Sequence, residues 1–279
     1  MGPRSNIGAS LNRKRQASFL KKLFVYFIFT LFFVFFGVWG LTTDKARIKS
    51  IVVLGNITIA TEDIMNSADS EINQYYLWII PTNNILLLRS DEIESKILND
   101  IKKINSVKVM IDGIDKIEIS VTERQSRDLW CMGNPTVPKD CYFMDVDGFI
   151  FEQSPIFSED SFPKYFGLIA ENNPIGQTYF KNNFRNIAGL FNGLKNISFN
   201  PKYFNALDEH EYEIYLSGGG KILVSDSKSF ESSLINLQAL VSNEYIKNDA
   251  VSLKKIKYID LRFGNKVVCN PSSICEKVE

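Results

Sequence analysis

Hydrophobic residues run unbroken for longest at Leu23 to Leu41, LFVYFIFTLFFVFFGVWGL, nineteen residues without a charge. At about 1.5 Å of rise per helical residue this comes close to crossing a hydrocarbon core of roughly 30 Å. A soluble core helix would carry a polar face, and this stretch has none. Tyr26 and Trp39 lie near its two ends, where interfacial aromatics are common. After it the pattern turns amphipathic. Ile48-Lys49-Ser50-Ile51-Val52-Val53-Leu54 predicts a strand stopped by the turn pair Gly55-Asn56. Thr61 followed by Glu62 and Asp63 predicts a helix start, the acids suiting the positive end of the helix dipole. A second helix is expected from Ser90-Asp91-Glu92, with Ile93, Ile97, Ile101 and Ile104 as its apolar face. Val107, Val109 and Ile111, then Ile117, Ile119 and Val121, alternate with polar residues around Asp112-Gly113-Ile114-Asp115, which predicts a hairpin. The order is strand, helix, helix, strand, strand, interrupted between the helices by an insert centred on Tyr75-Tyr76-Leu77-Trp78-Ile79-Ile80-Pro81. That insert is expected to fold over the small core, or else to present a contact surface.

Residues 127–279 predict a larger, strand-rich region. Strands are expected around Leu129-Trp130-Cys131, over Cys141 to Asp145, and at Phe149-Ile150-Phe151 after the turn Asp147-Gly148. Phe180, Phe184, Ile187, Phe191 and Leu194 step as one helix face, and Phe230, Leu234, Leu237 and Val241 as another. Tyr212, Ile214 and Leu216 alternate with Glu211 and Glu213 before Gly218-Gly219-Gly220 turns the chain into Lys221 to Val224. The last strands are expected at Ile256 to Phe263 and Lys266 to Asn270, joined at Gly264-Asn265. On the first of these, alternation predicts Ile259, Leu261 and Phe263 facing the core and Asp260 and Arg262 facing outward. The fold class is α+β: an apolar helix, a small module, and a mainly antiparallel β-domain with two packed helices. The expected division is a basic tail 1–22, a membrane helix 23–41, a module 48–125 and a β-domain 127–279.

Charge adds a direction. Arg4, Arg13, Lys14, Arg15, Lys21 and Lys22 precede the apolar run with no acid among them, so the N-terminus is expected inside and the bulk of the chain outside the cytoplasmic membrane. The run is longer than a secretory signal core and ends without an Ala-x-Ala site, which favours an anchor over a cleaved signal. The chain has 32 basic and 32 acidic residues. Setting the six aside leaves 26 basic against 32 acidic, a net charge of −6 that argues against nucleic acid as a ligand. Four cysteines, Cys131, Cys141, Cys269 and Cys275, fall on the exported side where disulfides persist; they allow three pairings, of which two local loops are favoured by spacing without being fixed by it.

Catalytic patterns are not found. His210, the single histidine, sits in Asp208-Glu209-His210-Glu211 between two strands and reads as a solvated turn, and no Gly-x-Ser-x-Gly elbow accompanies it. The glycines before Lys221 lack a phosphate loop's spacing, since Tyr215 and Ile222 occupy two required positions. Asp145-Val146-Asp147-Gly148 imitates part of a calcium loop, but Phe143 and Ser154 stand where its first and last carboxylates belong, so a hairpin turn is expected. Neither metal, cofactor nor enzyme activity is expected.

Particular residues then suggest a family. IKSIVVLGN, TEDI and SVKVMIDGIDKIEISVTERQ, with Glu123-Arg124-Gln125 the sharpest local match, resemble the POTRA (polypeptide-transport-associated) domain of the FtsQ/DivIB cell-division proteins. Trp130, the run Tyr142 to Gly148, and Tyr258-Ile259-Asp260-Leu261-Arg262-Phe263 resemble the β-domain of that family. Ser126 stands where the family often has proline, and the insert around Tyr75 to Pro81 is a second departure. The resemblance implies a non-enzymatic, single-pass protein of the inner membrane, enriched at the division septum, that scaffolds divisome assembly. It implies an FtsB-like partner recruited by the terminal strand region, with an FtsL-like protein beside it. Carried onto this chain, that role falls on Asn265, Lys266, Val267, Val268, Cys269 and Asn270, with Tyr258, Asp260 and Arg262 on the neighbouring strand. The competing expectations are a membrane-anchored cell-wall enzyme and, if the N-terminal segment is cleaved, a secreted binding protein. A bridge involving Cys269 and Cys275 would tie the tail just beyond the docking strand.

Overall fold

The computed structural model describes residues 7–41, 47–76, 80–156, 161–170, 172–181, 183–197, 199–227, 229–242, 256–263 and 266–270. Helix α1, Ile7–Leu41, contains one stretch long and apolar enough to cross a membrane, Phe19–Gly40, with a mean hydropathy of 2.3 and none of its surface buried in protein. Its 22 residues span about 33 Å. Thr30, a polar side chain in this stretch, bonds back to the carbonyls of Tyr26 (3.0 Å) and Phe27 (2.9 Å), so it needs no outside partner. The chain divides into two compact units, residues 1–122 and 123–279.

In the first unit, β1 (Ser50–Leu54), β4 (Ile104–Ile111) and β5 (Lys116–Glu123) form a sheet ordered β1-β5-β4, with β1 parallel to β5. Helices α2 (Thr61–Ile72) and α3 (Ser90–Asp100) bury Ile64, Ala68, Ile72, Ile93 and Ile97 against Ile117, Ile119 and Val121. Gly55 ends β1 at φ +85°, where a Cβ would lie 2.2 Å from the Val121 carbonyl oxygen; only glycine fits. Ile104, expected on the second helix face, instead opens β4. The helix stops at Asp100, the Ile104 amide bonds the Ile101 carbonyl at 3.0 Å, and Ile104 reaches the same core from the strand. Glu94 of α3 covers part of the β4 edge by accepting from the Val109 amide at 2.8 Å. The insert forms a short antiparallel pair, β2 (Tyr75–Tyr76) and β3 (Ile80–Pro81), beside a 3-10 turn at Ile85–Leu87; Leu77, Trp78 and Ile79, on which its two expected roles turned, lie outside the described residues.

The second unit is built on one nine-stranded sheet. Its strands are β6 (Asp128–Asn134), β7 (Val137–Met144), β8 (Ile150–Gln153), β9 (Lys164–Phe166), β10 (Pro201–Ala206), β11 (Glu211–Leu216), β12 (Lys221–Ser225), β13 (Tyr258–Asp260) and β14 (Val268–Asn270). The spatial order is β14-β13-β12-β11-β10-β9-β6-β7-β8. Helices α4 (Phe184–Asn196) and α5 (Phe230–Ser242) cover one face, where Ile187, Leu190, Phe191, Leu194, Leu237 and Leu240 pack on Trp130, Tyr165, Phe204, Ile214, Ile222 and Ile259. Two buried polar groups of this core find backbone partners: the Trp130 indole donates to the Gly167 carbonyl at 3.0 Å and the Tyr179 hydroxyl to the Phe166 carbonyl at 2.8 Å. Phe180, expected in the first helix face, precedes it in a turn at φ +49°. Sheet pairing is mixed, with β9 parallel to β6 and β10 and β12 parallel to β13. Cys131 and Cys141 sit opposite each other on β6 and β7 and form a disulfide. Cys269 is also disulfide-bonded, and Cys275 lies outside the described residues.

Candidate functional site

The expected docking residues converge at one end of the large sheet. β12 and β13 run parallel, pairing Lys221 with Tyr258, Ile222 with Ile259 and Leu223 with Asp260; β14 returns antiparallel, pairing Tyr258 with Asn270, Ile259 with Cys269 and Asp260 with Val268. Directly paired residues share a face. Ile259 and Cys269 therefore join the helix-covered core, while Tyr258, Asp260, Val268 and Asn270 share the opposite face. β14 is the last strand in the order, so its outer side is paired with no strand among the described residues. Lys266 and Val268 are exposed and Val267 is half-buried. Asn265 and Gly264 lie outside the described residues, and the Lys266 amide bonds the Phe263 carbonyl at 3.3 Å across them.

Two expectations for β13 are corrected. Phe263 does not face the core: the strand ends at Asp260, and Phe263 is 60% exposed with the Arg262 guanidinium 5.8 Å from its ring centre. Asp260 lies on the face away from the core, but it is only 4% exposed. Arg262 folds back over it, donating Nε at 3.0 Å, Nη2 at 2.7 Å and its backbone amide at 3.0 Å, and sends Nη1 to Glu211 Oε2 at 2.7 Å. Hydrogen bonding to Asp260 first, and the charges of Asp260 and Glu211 with it, hold the Arg262 guanidinium above its ordinary range. Of this pair, the guanidinium is the more exposed group and Asp260 is its support.

Glu211, one strand farther in on the other side of β12, was missed as part of this surface. Its alternation with buried Tyr212 placed it on the same outer face, but nothing in the sequence connected it to Arg262. Next to it lies a second polar pair. Lys221 Nζ donates to Glu213 Oε1 at 2.5 Å and the Tyr215 hydroxyl to Oε2 at 2.8 Å. Burial pushes the Glu213 carboxyl up, yet the bonds from Lys221 and Tyr215 outweigh it and hold the group below the usual carboxylate range. Burial and the bond to Glu213 push the Tyr215 phenol up to about 12. The Glu213 carboxylate is bound and held in its charged form, suited to holding a surface in shape rather than to exchanging protons.

Elsewhere the candidate chemical groups are occupied by structural work. The Asp145 carboxylate accepts from the amides of Asp147 (2.9 Å) and Phe149 (3.0 Å) and pairs with Arg124, whose guanidinium lies 4.1 Å from the Phe149 ring centre. Gly148, at φ +78° against Phe184 and the Tyr179 carbonyl, completes this turn. His210 is exposed and bonded through Nδ1 to Asp226 at 3.0 Å. Among the described residues no group of three or more His, Cys, Asp or Glu side chains could hold a metal ion.

Comparison with known proteins bears on the first unit. Residues 46–124 match the family described as POTRA domain, FtsQ-type. No curated protein matches the chain. The chain thus carries an FtsQ-type POTRA domain, directly after one N-terminal apolar helix compatible with a single-pass membrane anchor, and before a mostly β domain with helices; the POTRA match associates it with the divisome.

Proposed function

We propose that this protein is a non-enzymatic, single-pass scaffold of the divisome, with its tail inside and its two folded units outside the cytoplasmic membrane, that gathers membrane partners at the septum. The observation that carries the reading is the FtsQ-type POTRA domain set immediately after the apolar run Leu23 to Leu41, which is preceded by six cations and no acids. The edge strand β14 recruits an FtsB-like partner by strand addition, with an FtsL-like protein beside it, and Arg262 and Lys266 flank the docking line. Confinement of all partners to one membrane raises their effective concentration, so modest contacts suffice.

The test compares two substitutions at one exposed position. Val268→Pro removes the N–H that the register directs at Asp260 of β13 and so loosens the proposed docking strand, whereas Val268→Lys keeps the backbone and changes only the side chain. With both variants folded, binding of the FtsB-like partner is expected to fall at least about tenfold for proline and to stay within about threefold for lysine. Equal binding by the proline variant would remove the strand-addition mechanism. Depletion of the protein in its source organism separately tests the division role: septation that continues normally would sink it.

A further inference from the structure

Several exposed apolar side chains of the first unit gather at one place. Met110 is 46%, Ile111 53% and Ile114 75% exposed, all at the tip of the β4–β5 hairpin, where Gly113 at φ +94° turns the chain and the Asp112 amide bonds the Lys116 carbonyl at 2.9 Å. Scattered apolar residues on a surface are ordinary; here Met110 and Ile111, neighbours on β4 that point to opposite faces, and Ile114 in the turn make the tip apolar on both sides. The tip is also fastened to the beginning of β1. The Lys49 and Ser50 amides donate to the Asp115 carbonyl at 2.7 and 3.3 Å, and Lys49 Nζ pairs with the Asp115 carboxylate at 3.1 Å. Lys116 pairs with Asp112 at 2.5 Å, so both acids of the turn are neutralised by lysines.

Chain length fixes what this tip can reach. α1 ends at Leu41, and Lys49, bonded to the tip, is eight peptide steps later. At no more than about 3.6 Å per step, the tip stays within about 29 Å of the end of the apolar helix. By contrast, Ile57, 87% exposed, follows β1 at the opposite end of the same sheet, since β1 and β5 run parallel from Ser50 and Lys116 to Leu54 and Ser120.

We infer that the Met110–Ile114 hairpin tip rests in the interfacial layer of the same bilayer that holds α1, with Ile111 and Ile114 among the upper acyl chains and Lys49 and Lys116 at the headgroups. The inference rests on the membrane-anchor reading. Its chemistry is that of an interfacial contact: apolar side chains enter the boundary while the Lys49–Asp115 and Lys116–Asp112 pairs stay at the level of the polar headgroups. The contact makes a second attachment for the POTRA unit and limits its rotation about the tether.

The test uses the full chain in vesicles of phosphatidylethanolamine and phosphatidylglycerol, with an environment-sensitive fluorophore on single added thiols. Val34→Cys reports the anchor, Ile114→Cys and Met110→Cys the tip, and Ile57→Cys the far end. A lipid carrying a nitroxide high on its acyl chain is expected to quench Val34 and both tip positions about threefold more than Ile57. Quenching at Val34 alone overturns the hairpin contact and leaves the anchor standing. No quenching at Val34 overturns both. A tip shielded from a water-soluble quencher but out of reach of the lipid nitroxide is covered by protein, which also overturns the proposal.

Discussion

Asp128, which opens β6, is buried, and its Oδ2 finds no hydrogen-bond partner in the structure, although the Tyr165 hydroxyl bonds the carboxyl group. Burial pushes its pKa up to about 6, against a weaker pull from Arg127 and Lys195. The folded state therefore holds this proton more tightly than the unfolded chain does. Stability from this group is full below the unfolded value near pH 4, falls as pH rises toward 6, and is lost above it, by roughly 2–4 kcal/mol. Asp128→Asn removes that dependence while keeping an acceptor for Tyr165. Urea unfolding of the second unit is expected to show a wild type that weakens between pH 4 and 6.5 and a variant that is flatter and more stable at pH 7.5; parallel profiles would refute the assignment. Gly55 gives a residue-scale test of the opposite sign. Its Cβ would sit 2.2 Å from the Val121 oxygen, so Gly55→Ala is expected to cost about 2 kcal/mol or more, read as a lowered unfolding midpoint of the POTRA unit.

Among the elements, β13 shows what periodicity can and cannot reveal. Alternation placed Ile259 in the core and Asp260 on the other face, as found, but it could not see that Arg262 would fold back and bury the carboxylate. The Arg262–Glu211 bond spans 51 residues of sequence, and a two-residue period carries no such information. Removing the cation should then hurt more than removing the anion, because Asp260 is 4% exposed whereas the Arg262 side chain is 28% exposed and retains Glu211 and water. Arg262→Met is expected to cost about 2–3 kcal/mol and Asp260→Asn about half that in urea unfolding; the reverse order would mean that solvent screens the pair. Other elements failed to appear in the pattern for local reasons. β9 is three residues long with Tyr165 and Phe166 buried on opposite faces, so it shows no alternation, and β10 begins at Pro201. Phe180 and Ile104 kept helical spacing by coincidence, since each reaches its core from a turn or strand next to the helix. The POTRA unit was legible because each of its elements carries its own period and ends at Gly55, Gly113 or a short acidic helix start.

At the scale of the molecule, the two units have separate cores and unequal covalent support. The first is closed by Ile64, Ile93, Ile97, Ile117 and Ile119 and contains no cysteine; all four cysteines lie in the second, where Cys131–Cys141 joins adjacent strands and Cys269 is bonded on the edge strand β14. Units with their own cores unfold on their own terms. Reduction should therefore lower the stability of the second unit, by roughly 2–3 kcal/mol for the Cys131–Cys141 loop, and leave the first unchanged. Hydrogen exchange of the full protein in a membrane mimic, with and without a thiol reductant, separates the two. Amides of β1, β4 and β5 are expected to keep their protection while those of β6, β7 and β14 lose it. If β14 loosens and the proposed FtsB-like partner then binds more weakly, the bond at Cys269 holds the proposed docking edge in shape; if binding rises, that bond restrains access to it. An equal loss of protection in both units would show that they unfold as one.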